Sequence, residues 1–197
     1  MLGHLSPVSL SHFLLQNAVG AGEIAVDATV GNGHDTRFLC QLVGATGQVF
    51  GFDIQQCAIA NTQQWFEEHP EILSPTLYHV GHEHMHECLP QAIRGQIKAF
   101  IFNLGYLPGG DKQLITRADT TLSALETALE WLCPAGILVI VVYRGHDGGD
   151  AESQALLQWT SQIPTNVAET LRMERQNLSA AAPYILLVRK TQLPISR

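Results

Sequence analysis

The chain has 197 residues, 46% hydrophobic and 15% charged, which is enough to bury a core and too balanced for a disordered tail. A formal charge of −7 argues against a broad electrostatic footprint for nucleic acid, and leaves room only for a local basic patch in the arginine-richer C-terminal half. No apolar run approaches the roughly 20 residues of a membrane span. The N-terminal stretch lacks the basic lead of a signal peptide. The four scattered cysteines, with no CxxC pair, read as reduced thiols. A cytoplasmic protein without a membrane partner is therefore expected.

Strand and helix signals alternate along the chain. An amphipathic helix near Ser9 to Val19 comes first, then "EIAVDA" (23–28) as a strand and "HDTRFLCQLVG" (34–44) as a helix ended by Gly44. "GQVFGFDI" (47–54) is a second strand, and "QQCAIANTQQWFEEH" (55–69) a helix stopped by Pro70. "TLYHV" (76–80) is a short strand leading into a helix to about Leu89, and "IKAFIFN" (97–103) is a buried strand. After the loop "LGYLPGGDK" come a helix over 119–133, the strand "GILVIVVY" (136–143) and a helix at roughly 150–161. "NVAETLRME" and "APYILLVRK" close the pattern as an antiparallel hairpin. Repeated strand–helix units predict a mostly parallel seven-stranded sheet with helices on both faces and this hairpin at one edge. With no linker or internal repeat, residues 1–197 are expected to form a single domain.

In such a sheet, ligands bind beyond the carboxyl ends of the strands. "DATVGNGHDT" (27–36) sits there: Asp27 ends the first strand, and Gly31 and Gly33 make the turn into the next helix. Asp53 ends the second strand, 20 residues past Gly33, where an acid can take both hydroxyls of a ribose. A nicotinamide site wants GxGxxG, but Thr36 stands at the third glycine position, and no GK[ST] follows for a Walker loop. The acid followed by glycines at offsets four and six fits S-adenosylmethionine, although Thr29 replaces the usual offset-two glycine. A carboxylate near a helix start repels a pyrophosphate and suits a cationic amino-acid tail. The plain alternative is a tight β–α turn without a ligand.

The fourth strand ends in "FNLGYLPGGDK". A side-chain amide oxygen at Asn103 and the carbonyl of Leu104 can accept an amine's hydrogens while Tyr106 holds the attached group. This spacing is like the Asn-Pro-Pro-Tyr loop of amino-methyltransferases, with Leu-Gly for Pro-Pro; a packed glycine turn is the alternative. In "YRGHDGGD" (143–150), Arg144, His146 and Asp147 can touch a substrate, with His146 a candidate proton acceptor, or the loop merely connects strand to helix. "GHEHMHE" (81–87) is read without a metal, because a helix spreads its histidines around the axis. Gly81 and His82 fall where the third strand's loop covers an adenine.

Together "DATVGNGHDT", "GFDIQ", "FNLGYLPGGDK" and "GHDGG" resemble the small bacterial family labelled rRNA methylases, over nearly the whole chain and in the same order. The resemblance implies a Rossmann-like class I methyltransferase. It would convert 5-aminomethyl-2-thiouridine at the wobble position of tRNA to the methylaminomethyl form, engaging the anticodon region. It further implies cofactor contacts at Asn32, Asp35, Asp53, Gln55 and His82, with Gly31 and Gly33 shaping the loop and Asp27, Thr36, Gly81 and Asn103 beside them. Asn103, Tyr106 and the His146 loop fall on the substrate side. Other acceptors, such as rRNA or a small amine, and a non-catalytic adenosylmethionine-binding module remain open, as does a homodimer that would widen the RNA footprint.

Overall fold

The computed structural model describes residues 6–105, 115–145, 148–179 and 181–192. Seven strands form one sheet: β1 (Ile24–Asp27), β2 (Gln48–Asp53), β3 (Thr76–His79), β4 (Ile97–Leu104), β5 (Leu132–Val142), β6 (Ala168–Met173) and β7 (Tyr184–Lys190). Their spatial order is β3-β2-β1-β4-β5-β7-β6. The first five strands pair parallel, and β7 runs antiparallel to both neighbours. The helices are α1 (Pro7–Ala18), α2 (His34–Val43), α3 (Gln56–Glu68), α4 (Met85–Cys88), α5 (Ala118–Trp131) and α6 (Gly149–Gln162).

The alternation of side chains along each strand builds two cores. Val26, Phe50, Phe52, Phe100, Phe102, Leu138, Ile140, Leu186 and Val188 point to the face covered by α5 and α6. Ala25, Val49, Ala99, Ile101, Ile137, Val139, Val141 and Ile185 point to the face covered by α1, α2 and α3. Strands buried on both faces are continuous apolar runs rather than alternating ones, which is why "AFIF" and "GILVIVV" read so plainly as sheet.

Three local expectations shift. The first helix starts at Pro7 rather than Ser9, because Ser6 caps it, its hydroxyl accepting from Ser9 N at 3.0 Å, and a proline is favoured in the first turn. The helix expected up to Leu89 is a 3-10 turn (His82–His84) followed by the single turn of α4. The strand expected from Gly136 begins at Leu132: the chain leaves α5 directly into β5, with a register irregularity opposite Ile97–Ala99 and Ala135 at φ 60°. No helix among the described residues is long and apolar enough to cross a membrane.

Candidate active site

β1 is the strand at which the connections diverge, with β2 on one side and β4 on the other. The segment after it straddles both neighbours: Ala28 N donates to Ile101 O at 2.9 Å, and Val30 N to Phe52 O at 3.0 Å. The loop then turns through Gly31 (φ 50°) and Gly33 (φ 73°), backbone conformations that disfavour other residues. Gly33 is also pressed close, since a Cβ there would lie 2.6 Å from Thr62 Oγ1.

Asp27 lies beneath this turn with 0% exposure. Its two oxygens accept from Thr29 N at 3.1 Å and from Thr36 Oγ1 at 2.6 Å. Burial and, next, the Asp35 charge push its carboxyl up to about 7, against the pull of those two donors. Thr36, expected at the cofactor surface, is instead fully buried with its hydroxyl spent on Asp27. It braces the loop from below. Asn32 and His34 are exposed at the rim.

At the end of β2, Asp53 accepts from Gly31 N and from Gln55 N, both at 2.8 Å, so the acid ties the glycine loop to the start of α3. Gln55 itself is buried. After β3, Gly81 is buried and His82 is 8% exposed. The Nδ1 of His82 faces the carbonyl of Ala28 at 3.3 Å, and its Nε2 has no partner. A carbonyl cannot donate, so Nδ1 carries the hydrogen and Nε2 is a bare acceptor. Burial lowers the pKa of this imidazole, which keeps it neutral.

At the end of β4, Asn103 is anchored to the first loop by its backbone N–H, which donates to Thr29 Oγ1 at 2.7 Å. Its Nδ2 donates to Asp35 Oδ2. Asp35, 8% exposed in the first turn of α2, receives a second donor on Oδ1, His12 Nε2 at 2.5 Å. The sequence reading did not include His12. It lies on α1, 23 positions before its partner, and nothing local marks it as facing the acid in the first turn of α2.

A second residue escaped the sequence as well. Glu152 in α6 is 2% exposed, and its oxygens accept from Thr116 Oγ1 at 2.9 Å and Thr121 Oγ1 at 2.7 Å. Thr116 also pairs with Gly105 in both directions, Gly105 N to Thr116 Oγ1 and Thr116 N to Gly105 O, each at 2.9 Å. The two stems of the loop after β4 are thus stapled to each other and to α6. Tyr106 and, in the loop after β5, His146 and Asp147 lie outside the described residues, while Arg144 donates from Nε to Asp150 at 2.8 Å. Among the described residues no group of His, Cys, Asp and Glu side chains is arranged to hold a metal ion; His84 and His86 point to solvent.

Residues 49–189 match the family described as "Putative rRNA methylase". A curated Arabidopsis thaliana protein named tRNA (mnm(5)s(2)U34)-methyltransferase, chloroplastic, is 35% identical over 174 residues, covering 84% of this chain. The match spans 63% of that relative's length. The crystal structure of a Clostridium thermocellum chain described as a "putative rRNA-methylase" is similar at a TM-score of 0.89 and 38% identity, over 96% of this chain and all (100%) of that one. A Streptococcus mutans "putative methyltransferase", solved in complex with SAH, is similar at a TM-score of 0.83 and 33% identity, over 96% and 99% of the two chains.

Proposed function

The chain belongs to the rRNA methylase family and has its class I methyltransferase fold, and from that premise we propose that it transfers a methyl group from S-adenosylmethionine to an RNA amine, the aminomethyl nitrogen of 5-aminomethyl-2-thiouridine in tRNA. The observation that carries the reading is the meeting of Asp53, His82, Asn103 and the positive-φ loop at one sheet edge.

The residues present fit an adenosyl group. Gly31 and Gly33 bring a backbone without side chains to the edge, Asp53 offers a carboxylate to ribose hydroxyls, and the buried Nε2 of His82 lacks a donor that an adenine amino group can supply. The Asp35 carboxylate, joined by Asp27 as that group ionises near 7, suits a cationic aminoacyl tail, which in turn favours the ionised form of Asp27. When bound, S-adenosylmethionine supplies an electrophilic methyl on a positively charged sulfur.

The chain's own task is then to hold a neutral amine in line. In this reading Asn103 Oδ1 and the Leu104 carbonyl accept two hydrogens of the amine, leaving its lone pair free. Positioning of this kind supplies the rate without a strong base. Tyr106, which follows Gly105 in sequence, is read as holding the group that carries the amine.

A cleft of about 360 Å³ opens on the same edge, between the start of α1 and the β6–β7 turn, and is lined by Pro7, Leu10, Arg172, Arg175 and Tyr184. Arg175 suits a phosphate of an anticodon stem, whereas Arg172 is already paired with Glu174, which lines the same cleft, at 2.5 Å.

Purified protein, S-adenosylmethionine and tRNA carrying the aminomethyl nucleoside should yield methylaminomethyl nucleoside by mass spectrometry. Absence of product with that tRNA would overturn the reading, and turnover of a free amine without tRNA would replace the acceptor.

A further inference from the structure

We propose that His12 is a positioning residue of the active site: through Asp35 it holds the Asn103 amide with its oxygen turned toward the acceptor amine. The proposal rests on the reading of Asn103 as the amine-holding group. A carboxylate only accepts hydrogen bonds, so the side of the Asn103 amide that meets Asp35 must be its NH₂. Oδ1 is left on the opposite side. An amide turned the other way would present donors to an amine whose hydrogens need acceptors.

Asp35 can impose this orientation only if its own carboxylate is fixed. One oxygen is given to Asn103, and the other is held by His12 Nε2 at 2.5 Å. The imidazole is locked in turn. Its ring lies flat on Phe38, with centroids 3.9 Å apart and planes within 4°, and Phe38 sits one turn along α2 from Asp35. A single carboxylate thereby bridges α1 and the end of β4. An imidazole with its hydrogen on Nε2 and an imidazolium both donate from that nitrogen, so the arrangement does not require the ring to be charged.

Docking of α1 does not explain His12. Leu15 and Val19 already seat that segment in the core against the α2 face. The imidazole instead lies at the carboxyl edge of the sheet, where its acid partner meets the candidate substrate residue.

The test uses the full-length ¹⁵N-labelled protein, with the Asn103 side-chain amide resonances identified by their loss in Asn103→Ala. His12→Ala should move those resonances away from the carboxylate-bonded position. His12→Gln, whose terminal N–H reaches the same place, should restore them. With aminomethyl tRNA, His12→Ala should lower kcat about 10- to 100-fold, the scale of a misplacement of about 1 Å. His12→Gln should recover most of that loss, and SAH affinity by calorimetry should stay within about threefold in both variants.

Unchanged Asn103 resonances or an unchanged kcat in His12→Ala would overturn the proposal. So would loss of SAH binding together with loss of thermal stability, which would assign His12 to the fold alone. If wild-type protein methylates no aminomethyl tRNA, the proposed reaction fails, while the resonances still decide whether His12 sets the amide.

Discussion

Asp27→Asn should stabilise the ligand-free protein relative to wild type, and the gain should grow with pH. In the unfolded chain this carboxyl ionises near 3.8, whereas burial and the Asp35 charge raise it to about 7 in the fold. Between those values the unfolded chain has released a proton that the folded chain retains. Each pH unit therefore lowers wild-type stability by about 1.4 kcal/mol. Below 3.8 both forms are protonated and the cost is absent; above 7 it is complete, at about 4 kcal/mol. Asn carries no charge. Its Oδ1 keeps the hydrogen bond from Thr29 N, and the Thr36 hydroxyl can rotate to accept from its NH₂. The stability difference between variant and wild type, from urea midpoints followed by circular dichroism, should widen by about 2–3 kcal/mol from pH 5 to pH 8. A difference constant over that range would refute the reasoning. The same substitution should weaken S-adenosylmethionine binding by calorimetry, because the charge that costs stability is the one that attracts a cation.

Gly33→Ala combines a left-handed φ with a collision against Thr62. It should cost about 1–3 kcal/mol in urea unfolding and weaken SAH binding. Asn103→Ala should lower kcat on tRNA about 100-fold, comparable to losing one positioned polar group, and calorimetry should show SAH affinity far less affected. Glu152→Ala leaves the hydroxyls of Thr116 and Thr121 without their acceptor. Stability should fall by about 1–3 kcal/mol, and tRNA methylation should fall further than the stability loss explains. His82→Phe removes the buried Nε2 acceptor, so SAH affinity should drop about tenfold in a calorimetric titration.

The sheet was legible because burial on both faces leaves unbroken apolar runs, and the antiparallel pairing of the last two strands because the connection between them, residues 174–183, is too short for a parallel crossover. The placement of the candidate site was legible wherever a strand ends in a polar residue: Asp27, Asp53 and Asn103 do reach one edge. Depth was not legible. Thr36 falls in the predicted helix and was expected at the cofactor surface, yet the first turn of α2 rotates it inward onto Asp27. His12 and Glu152 lie on helices, where an i, i+4 pattern reports which side faces the core but not which polar group waits across the gap. Their partners lie 23 and 31 to 36 positions away and come from tertiary packing alone.

The place of β7 between β5 and β6 has a consequence for how the chain can be made. β6 precedes β7 in synthesis but joins the sheet only through it, so β6 has no docking site until residues 184–190 have emerged from the ribosome. Until then Ile137 to Val142 form the open edge of the nascent sheet, a β-branched stretch without a charge to discourage pairing with another chain. A chain released before residue 184 should aggregate rather than persist as a smaller folded unit. Closure of this sheet waits on the strand that comes after the other six in the chain, and the solubility of the growing chain depends on its arrival.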